Sequence, residues 1–230
     1  LELQETCRIL DKVIACGPKS ITLSGGEPLI RKDFFEILKY VKKHYVGEIT
    51  LSTNATLMKE SDIPTLAKNI TSFDISLDGY DETTCERIRG KGVFNKVIKN
   101  IKILQECGAN NINLSMVDVN HSKNAREKFK ELNRQLGTRS VIRALAPIGR
   151  AATMESKREY LDTLYTPREL SATERREICA GFRGTKCGAY RNQFFVDYNG
   201  DIYPCGLLIN EKYKIGNLLK MDDNDVFPFV

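Results

Sequence analysis

Short apolar runs alternate with amphipathic helical segments through the first two thirds of this chain, and no other feature of the sequence constrains the fold as strongly. Strand-like runs occupy residues 19–24 (KSITLS), 48–52 (EITLS), 72–77 (SFDISL), 111–117 (NINLSMV) and 139–145 (RSVIRAL). Between them, helical spacing of apolar residues marks four helices. Residues 32–45 carry Phe34, Phe35, Leu38 and Val41; residues 59–69 carry Leu66 and Ala67, with Pro64 near the first turn; residues 93–107 place Val97, Ile98, Ile101 and Leu104 on one face and stop at Gly108; the fourth helix covers residues 123–136. Five strands separated by four helices predict a parallel sheet of strand–helix–strand units. A further helical pattern at the start (Leu1, Leu3, Cys7, Leu10 and Ile14) implies one more strand upstream, so the chain is expected to be a fragment whose opening helix is already under way at Leu1.

The polar residues with chemical potential stand just after the strands. Ser24-Gly25-Gly26-Glu27-Pro28 follows the first run and Ser52-Thr53-Asn54 ends the second. Ser76-Leu77-Asp78-Gly79 ends the third, Asp118 and Asn120 follow the fourth, and Pro147, Gly149 and Arg150 follow the fifth. A parallel barrel gathers the C-terminal ends of its strands on one rim, where small-molecule sites form. Two successive glycines leave main chain open to a ligand, and Glu27 offers a carboxylate to an ammonium group. A plain strand-to-helix turn is the competing reading of Gly25-Gly26-Glu27-Pro28.

Composition narrows the function classes. The net charge of +5, from 35 basic and 30 acidic residues, is mild, and no basic block is interleaved with aromatics, so nucleic acid is not an expected partner. No run reaches the roughly 20 apolar residues of a membrane helix. Seven cysteines, an odd number, fit reduced thiols better than a secreted disulfide framework. A cytoplasmic, reducing location is therefore expected. Cys7, Cys16 and Cys107 read as core thiols on helices, and Cys85 as a filler near the rim. His44 and His121 show no metal spacing. After about residue 150 the pattern changes. Residues 151–178 are polar and helical, and two short strands follow at 193–197 (QFFVD) and 201–204 (DIYP), joined by Tyr198-Asn199-Gly200-Asp201. Asn-Gly accepts the positive φ of a tight hairpin turn.

These residues resemble a known family. Ser24-Gly25-Gly26-Glu27-Pro28 followed by Leu29-Ile30-Arg31-Lys32-Asp33-Phe34 is similar to the radical S-adenosylmethionine (SAM) signature that contacts the methionine amino group. Ser52-Thr53-Asn54 resembles the next strand end, with Ala55 where the family usually has Gly, and Ser76-Leu77-Asp78-Gly79 with Arg89-Gly90 and Phe94 resembles a later one. The resemblance implies that Gly25, Gly26 and Glu27 bind SAM, that Ser52, Asn54, Ser76 and Asp78 face its methionine and ribose, and that Arg89 pairs with its carboxylate. Asn120 and Asn124 would lie near the adenine. The family's Cys-x3-Cys-x2-Cys triad, which holds a [4Fe–4S] cluster through thiolates, is absent from this sequence. Its expected place is upstream of Leu1. The parent protein is thus expected to cleave SAM reductively to a 5′-deoxyadenosyl radical, with electrons from an external donor, whereas the chain alone is expected to be inactive. No catalytic residue that handles the substrate radical is legible.

Near the end, Cys187-Gly188-Ala189-Tyr190, the hairpin, Tyr203-Pro204-Cys205 and Ile215-Gly216-Asn217-Leu218 are similar to the start of a SPASM region, which holds auxiliary [4Fe–4S] clusters in peptide-modifying radical SAM enzymes. Cys187 and Cys205 are the implied ligands and Cys179 a third candidate. The fold class expected is α/β, a partial parallel (β/α)6 TIM-like barrel lacking its first strand, plus a small cysteine-bearing C-terminal β-hairpin extension. Residues 1–150 would form the radical SAM core, 151–186 a helical linker and 187–230 the start of the SPASM region. The substrate implied is a peptide or protein. Two other readings stand beside this one, a non-catalytic SAM-binding relic and a zinc-binding interaction domain.

Overall fold

The computed structural model describes residues 1–118, 123–144 and 193–222. The chain divides into two compact units, one built on Leu1–Ala144 and one on Leu145–Lys220.

The first unit holds helix α1 (Leu3–Ala15), then β1 (Ser20–Leu23), α2 (Phe34–His44), β2 (Glu48–Thr53), α3 (Ile63–Asn69) and β3 (Ser72–Ser76). Two helices follow, α4 (Glu82–Arg89) and α5 (Val93–Glu106), then β4 (Ile112–Asp118), α6 (Lys123–Leu136) and β5 (Arg139–Ala144). The five strands lie in sequential order β1-β2-β3-β4-β5, each parallel to the next. Sequential order, with no reversal, is the arc of a barrel and not the doubly wound order that turns back on itself. The expected partial barrel is observed.

Side chains alternate across each strand, and the alternation sorts the faces. Ile49 and Leu51 on β2, Phe73 and Ile75 on β3, and Ile112, Leu114 and Met116 on β4 are buried in one cluster with Leu38 and Val41 of α2, Leu66 of α3, Val97 and Ile101 of α5, and Phe129 of α6. The residues between them on the strands are polar: Thr50 and Ser52, Asp74 and Ser76, Asn113 and Ser115. The helices therefore cover one face, and the other is a polar surface cross-linked from strand to strand. Asn113 Nδ2 donates to Asp74 Oδ1 at 2.7 Å, and Arg143 Nη2 lies 3.5 Å from Asp74 Oδ2.

Helix α1 begins at Leu3, with Glu2 at the position before it and Leu1 exposed outside it, so the helix starts within this chain and does not run through Leu1. Its Leu3, Leu10 and Ile14 do pack on the core, joined by Val13. Cys107 corrects the core assignment: it caps the C-terminal end of α5 and is exposed, while Cys7 and Cys16 are half-buried. Cys16 donates its thiol to the Lys12 carbonyl, and burial pushes it up to about 12.

In the second unit, β6 (Phe195–Val196), β7 (Asp201–Tyr203) and β8 (Gly216–Asn217) form a three-stranded antiparallel sheet. The expected hairpin is present, and the Ile-Gly-Asn segment adds a third strand to it. The turn differs from the tight form. Gly200 N donates to Asp197 O and Asp197 N to Asp201 O, which makes a longer loop in which Gly200 alone, at φ 82°, is left-handed.

Candidate functional site

The rim is assembled from the ends of β1, β2 and β3, which are adjacent in the sheet. The loop after β1 carries Gly25 and Gly26. A Cβ built at either glycine meets nothing within 4 Å, so the main chain here borders open space that a ligand can occupy. Gly25, at φ 148°, also needs a backbone that other residues rarely adopt.

Glu27 is turned inward to hold that loop against its neighbour. Its Oε1 accepts from Thr53 Oγ1 at 2.6 Å and Leu29 N at 3.2 Å, and its Oε2 accepts from Asn54 N at 2.7 Å. One carboxylate thus fixes the end of β2 to the start of the short 3-10 turn Pro28–Ile30. Charge-assisted bonds of this kind are the strong ones. Asn54 Oδ1 accepts from Thr56 N and Thr56 Oγ1 at 2.8 and 2.6 Å, which orients the side chain and leaves its amide N–H groups to be offered.

Ala55, where the resemblance leads one to expect Gly, is left-handed with φ 57° and fully buried. The backbone explains why glycine suits the position, and local bonds explain how alanine is held there. Ala55 N donates to Thr53 Oγ1 at 2.9 Å, and Asn100 Nδ2 of α5 donates to the Ala55 carbonyl at 2.8 Å. A left-handed non-glycine residue costs about 1–2 kcal/mol, which these bonds offset.

At the end of β3, Ser76 faces Ser115 across the strands at 3.5 Å between hydroxyls. Asp78 follows in a left-handed conformation, φ 57°, and is buried. Its Oδ1 accepts from Val117 N at 2.6 Å; its Oδ2 accepts from Arg89 Nε at 2.8 Å and lies 2.6 Å from Arg89 Nη2. Arg89 stands in the last turn of α4, before Gly90. The helix is seated on the strand end at two further points. A Cβ at Gly79 would lie 2.4 Å from Cys85 N, so this glycine is there for close approach and not for its φ. Cys85 donates its thiol to the Leu77 carbonyl at 3.1 Å, and burial pushes it up to about 11. Helix α4 is absent from the apolar pattern because it buries only Cys85. Its legible signal is the Asp81-x-x-Thr84 capping box, whose bonds Thr84 N to Asp81 Oδ1 and Asp81 N to Thr84 Oγ1 are formed.

The site residues thus fall into two linked groups on neighbouring strand ends: Glu27 with Thr53 and Asn54, and Asp78 with Arg89. Ser52 and Ser76 lie on the polar face between them. Asn124 is exposed in the first turn of α6. Asn120, Cys179 and Cys187, with Pro147, Gly149 and Arg150, lie outside the described residues. Cys205 follows β7 and is half-buried. Among the described residues, no three His, Cys, Asp or Glu side chains are grouped to hold a metal. They supply no ligand set for a [4Fe–4S] cluster. Open glycine backbone, two hydroxyls and a part-buried guanidinium do suit an amino-acid nucleoside such as SAM.

Comparison with known proteins agrees with this geometry. The model of the radical SAM superfamily matches residues 1–132, and that of SPASM, an iron–sulfur cluster-binding domain, matches residues 187–227. Mycofactocin maturase MftC of Mycolicibacterium smegmatis is 28% identical over 238 residues, covering 95% of this chain and 60% of that protein. The chain therefore spans less than two thirds of that relative. Among solved structures, native anSMEcpe with bound AdoMet superposes with a TM-score of 0.69 at 20% identity, covering 100% of this chain and 72% of that one. Streptococcus suis SuiB bound to S-adenosylmethionine gives a TM-score of 0.71 at 21% identity, covering 96% and 57%. With the family model matching more than half of its length and the strand-end motifs in place on the barrel rim, this chain belongs to the radical SAM superfamily.

Proposed function

We propose that the protein containing this chain is a radical SAM enzyme that modifies a peptide or protein. The observation that carries the reading is the open Gly25-Gly26 cradle with Ser52, Ser76 and Asp78, all at the C-terminal ends of adjacent parallel strands, and Arg89 of α4 paired to Asp78. When bound and given an electron, SAM supplies a 5′-deoxyadenosyl radical able to abstract hydrogen. The chain's own residues bind and orient it. The glycine main chain and Glu27 receive the methionine ammonium, and Ser52, Asn54 and Ser76 meet methionine and ribose. The free N–H groups of Arg89 meet the carboxylate. Glu27 keeps lone-pair capacity for this, since two carboxylate oxygens accept about four bonds and three protein donors reach it.

The substrate class rests on the relatives. SuiB has been solved with the precursor peptide SuiA, and anSMEcpe with AdoMet and the Kp18Cys peptide. Cys187 and Cys205, with Cys179 as a third candidate, are the proposed auxiliary-cluster ligands, supported by the SPASM match. The division into a core at 1–150, a linker at 151–186 and a SPASM start at 187–230 belongs to the same reading, as do the external electron donor and a cytoplasmic setting. Among the described residues, no helix is long and apolar enough to cross a membrane.

The test is anaerobic purification of the full-length protein, with metal analysis and measurement of 5′-deoxyadenosine released from SAM under reduction. Iron with sulfide and reductive SAM cleavage are expected. Zinc without iron, or no SAM cleavage, overturns the reading. Turnover by residues 1–230 alone would overturn the expectation that this sequence, without the Cys-x3-Cys-x2-Cys triad, is inactive.

A further inference from the structure

The ion pair at the end of β3 suggests a division of labour inside the SAM site that the motifs alone do not show. Asp78 directs both carboxylate oxygens at protein donors: Val117 N on β4, and Nε and Nη2 of Arg89 on α4. Its side chain is 6% exposed, and that of Arg89 is 19% exposed. Three protein donors reach it, as three reach Glu27, but Glu27 is half-buried whereas Asp78 is buried with its bonds directed into the seam between β3, β4 and α4. Arg89 is in the opposite state. Asp78 engages its Nε–H and one Nη2–H, and of its five N–H groups the remaining three are available on the far side of the fork.

We propose that Asp78 is a positioning residue. It acts on SAM through Arg89, fixing the guanidinium plane so that the free N–H groups meet the methionine carboxylate, and it makes no bond of its own to the ribose. This rests on the reading of Arg89 given above. Asp78 makes these bonds from a left-handed backbone, φ 57°. A carboxylate beside Arg89 weakens the cation's attraction for a second carboxylate. The compensation is that a rotamer-rich side chain is ordered before the ligand arrives, so binding does not carry that cost.

The experiment measures dissociation constants of SAM and of decarboxylated SAM for the full-length, cluster-loaded protein and its Asp78→Asn, Arg89→Ala and doubly substituted variants. Arg89→Ala is expected to weaken SAM about tenfold or more, the loss of a charge-assisted contact, and to leave decarboxylated SAM within about twofold. Asp78→Asn is expected to weaken SAM by about three- to tenfold, the scale of ordering one long side chain, again sparing the decarboxylated ligand. In the Arg89→Ala background the Asp78 substitution is expected to add nothing. If Asp78→Asn weakens both ligands and still does so without Arg89, Asp78 touches SAM directly and the proposal fails. If Asp78→Asn leaves SAM unchanged or tighter, positioning is refuted. If Arg89→Ala affects both ligands alike, the Arg89 reading itself fails. Arg89→Lys keeps the charge but loses the fork, and is expected to behave like Asp78→Asn. Wild-type SAM binding by that variant would overturn the proposal even if the Asp78 variants do not fold.

Discussion

The barrel unit and the hairpin unit both use carboxylates as cross-links, but they stand on very different foundations. At the barrel rim, Glu27 and Asp78 tie loop ends that already project from strands whose other face is packed under helices. In the hairpin, Asp201 does the same work with few buried apolar side chains among the described residues. Its carboxylate accepts from Asn217 Nδ2 at 2.6 Å and from Lys214 Nζ at 2.9 Å, so it joins β7 to β8 and to the segment before β8. The strands there are two or three residues long, and the buried apolar side chains described in them and just after are Ile202, Tyr203 and Leu218. Small units of this kind commonly need a staple beyond their core. The carboxylates of the barrel therefore shape a site on a packed frame, whereas the carboxylate of the hairpin is a large share of what joins its described strands.

Three measurements sharpen or break this contrast. The largest effect is expected in the barrel core. Phe73→Ala removes a fully buried ring from the central strand and should cost about 3–5 kcal/mol, read as a loss of the cooperative thermal transition of the barrel unit. A loss under about 1 kcal/mol would mean the frame is looser than drawn. Next, Glu27→Gln keeps the shape and removes the charge. It should cost about 1–3 kcal/mol, the range for bonds to a charged acceptor, and should raise hydrogen exchange at Asn54 N and Leu29 N more than at β2. Uniform exchange across β2 would show that the carboxylate supports the strand and not the rim. The smallest effect concerns the hairpin and depends on pH. Bonds from Asn217 and Lys214 hold the Asp201 carboxyl below its ordinary value. Its stabilisation is therefore present above the unfolded pKa, near 4, and is lost as pH falls through the lower folded value. Amide protection at Asn217 and Leu218 should fall in acid in wild type, and Asp201→Asn should remove that dependence. Identical acid profiles for the two proteins would remove Asp201 from its role.

Much of the frame was readable before the fold. The strand positions and the long helices follow from apolar periodicity, because Leu51, Ile75 and Leu114 or Val97, Ile101 and Leu104 must face one core. Helix α4 escaped that reading because it buries a single cysteine and is held by its cap and by contacts to the strand end. The site was legible as a set of residue types at strand ends, and its internal wiring was not. Nothing in Glu27, Thr53 and Asn54 as letters says that the carboxylate accepts from both neighbours, and nothing in Ala55 says that Asn100 would steady it.

The sequence by itself determined the period of each element, the placement of glycine where main chain must lie open, and the polar residues that close each strand. These are local matters, set by side-chain spacing and backbone sterics. Only the tertiary structure decided which strand ends lie side by side, which carboxylate oxygens face protein and which N–H groups stay free. Those outcomes depend on contacts between residues 11 to 45 positions apart, and directional bonds over such separations exist only once the sheet order has brought their partners within reach.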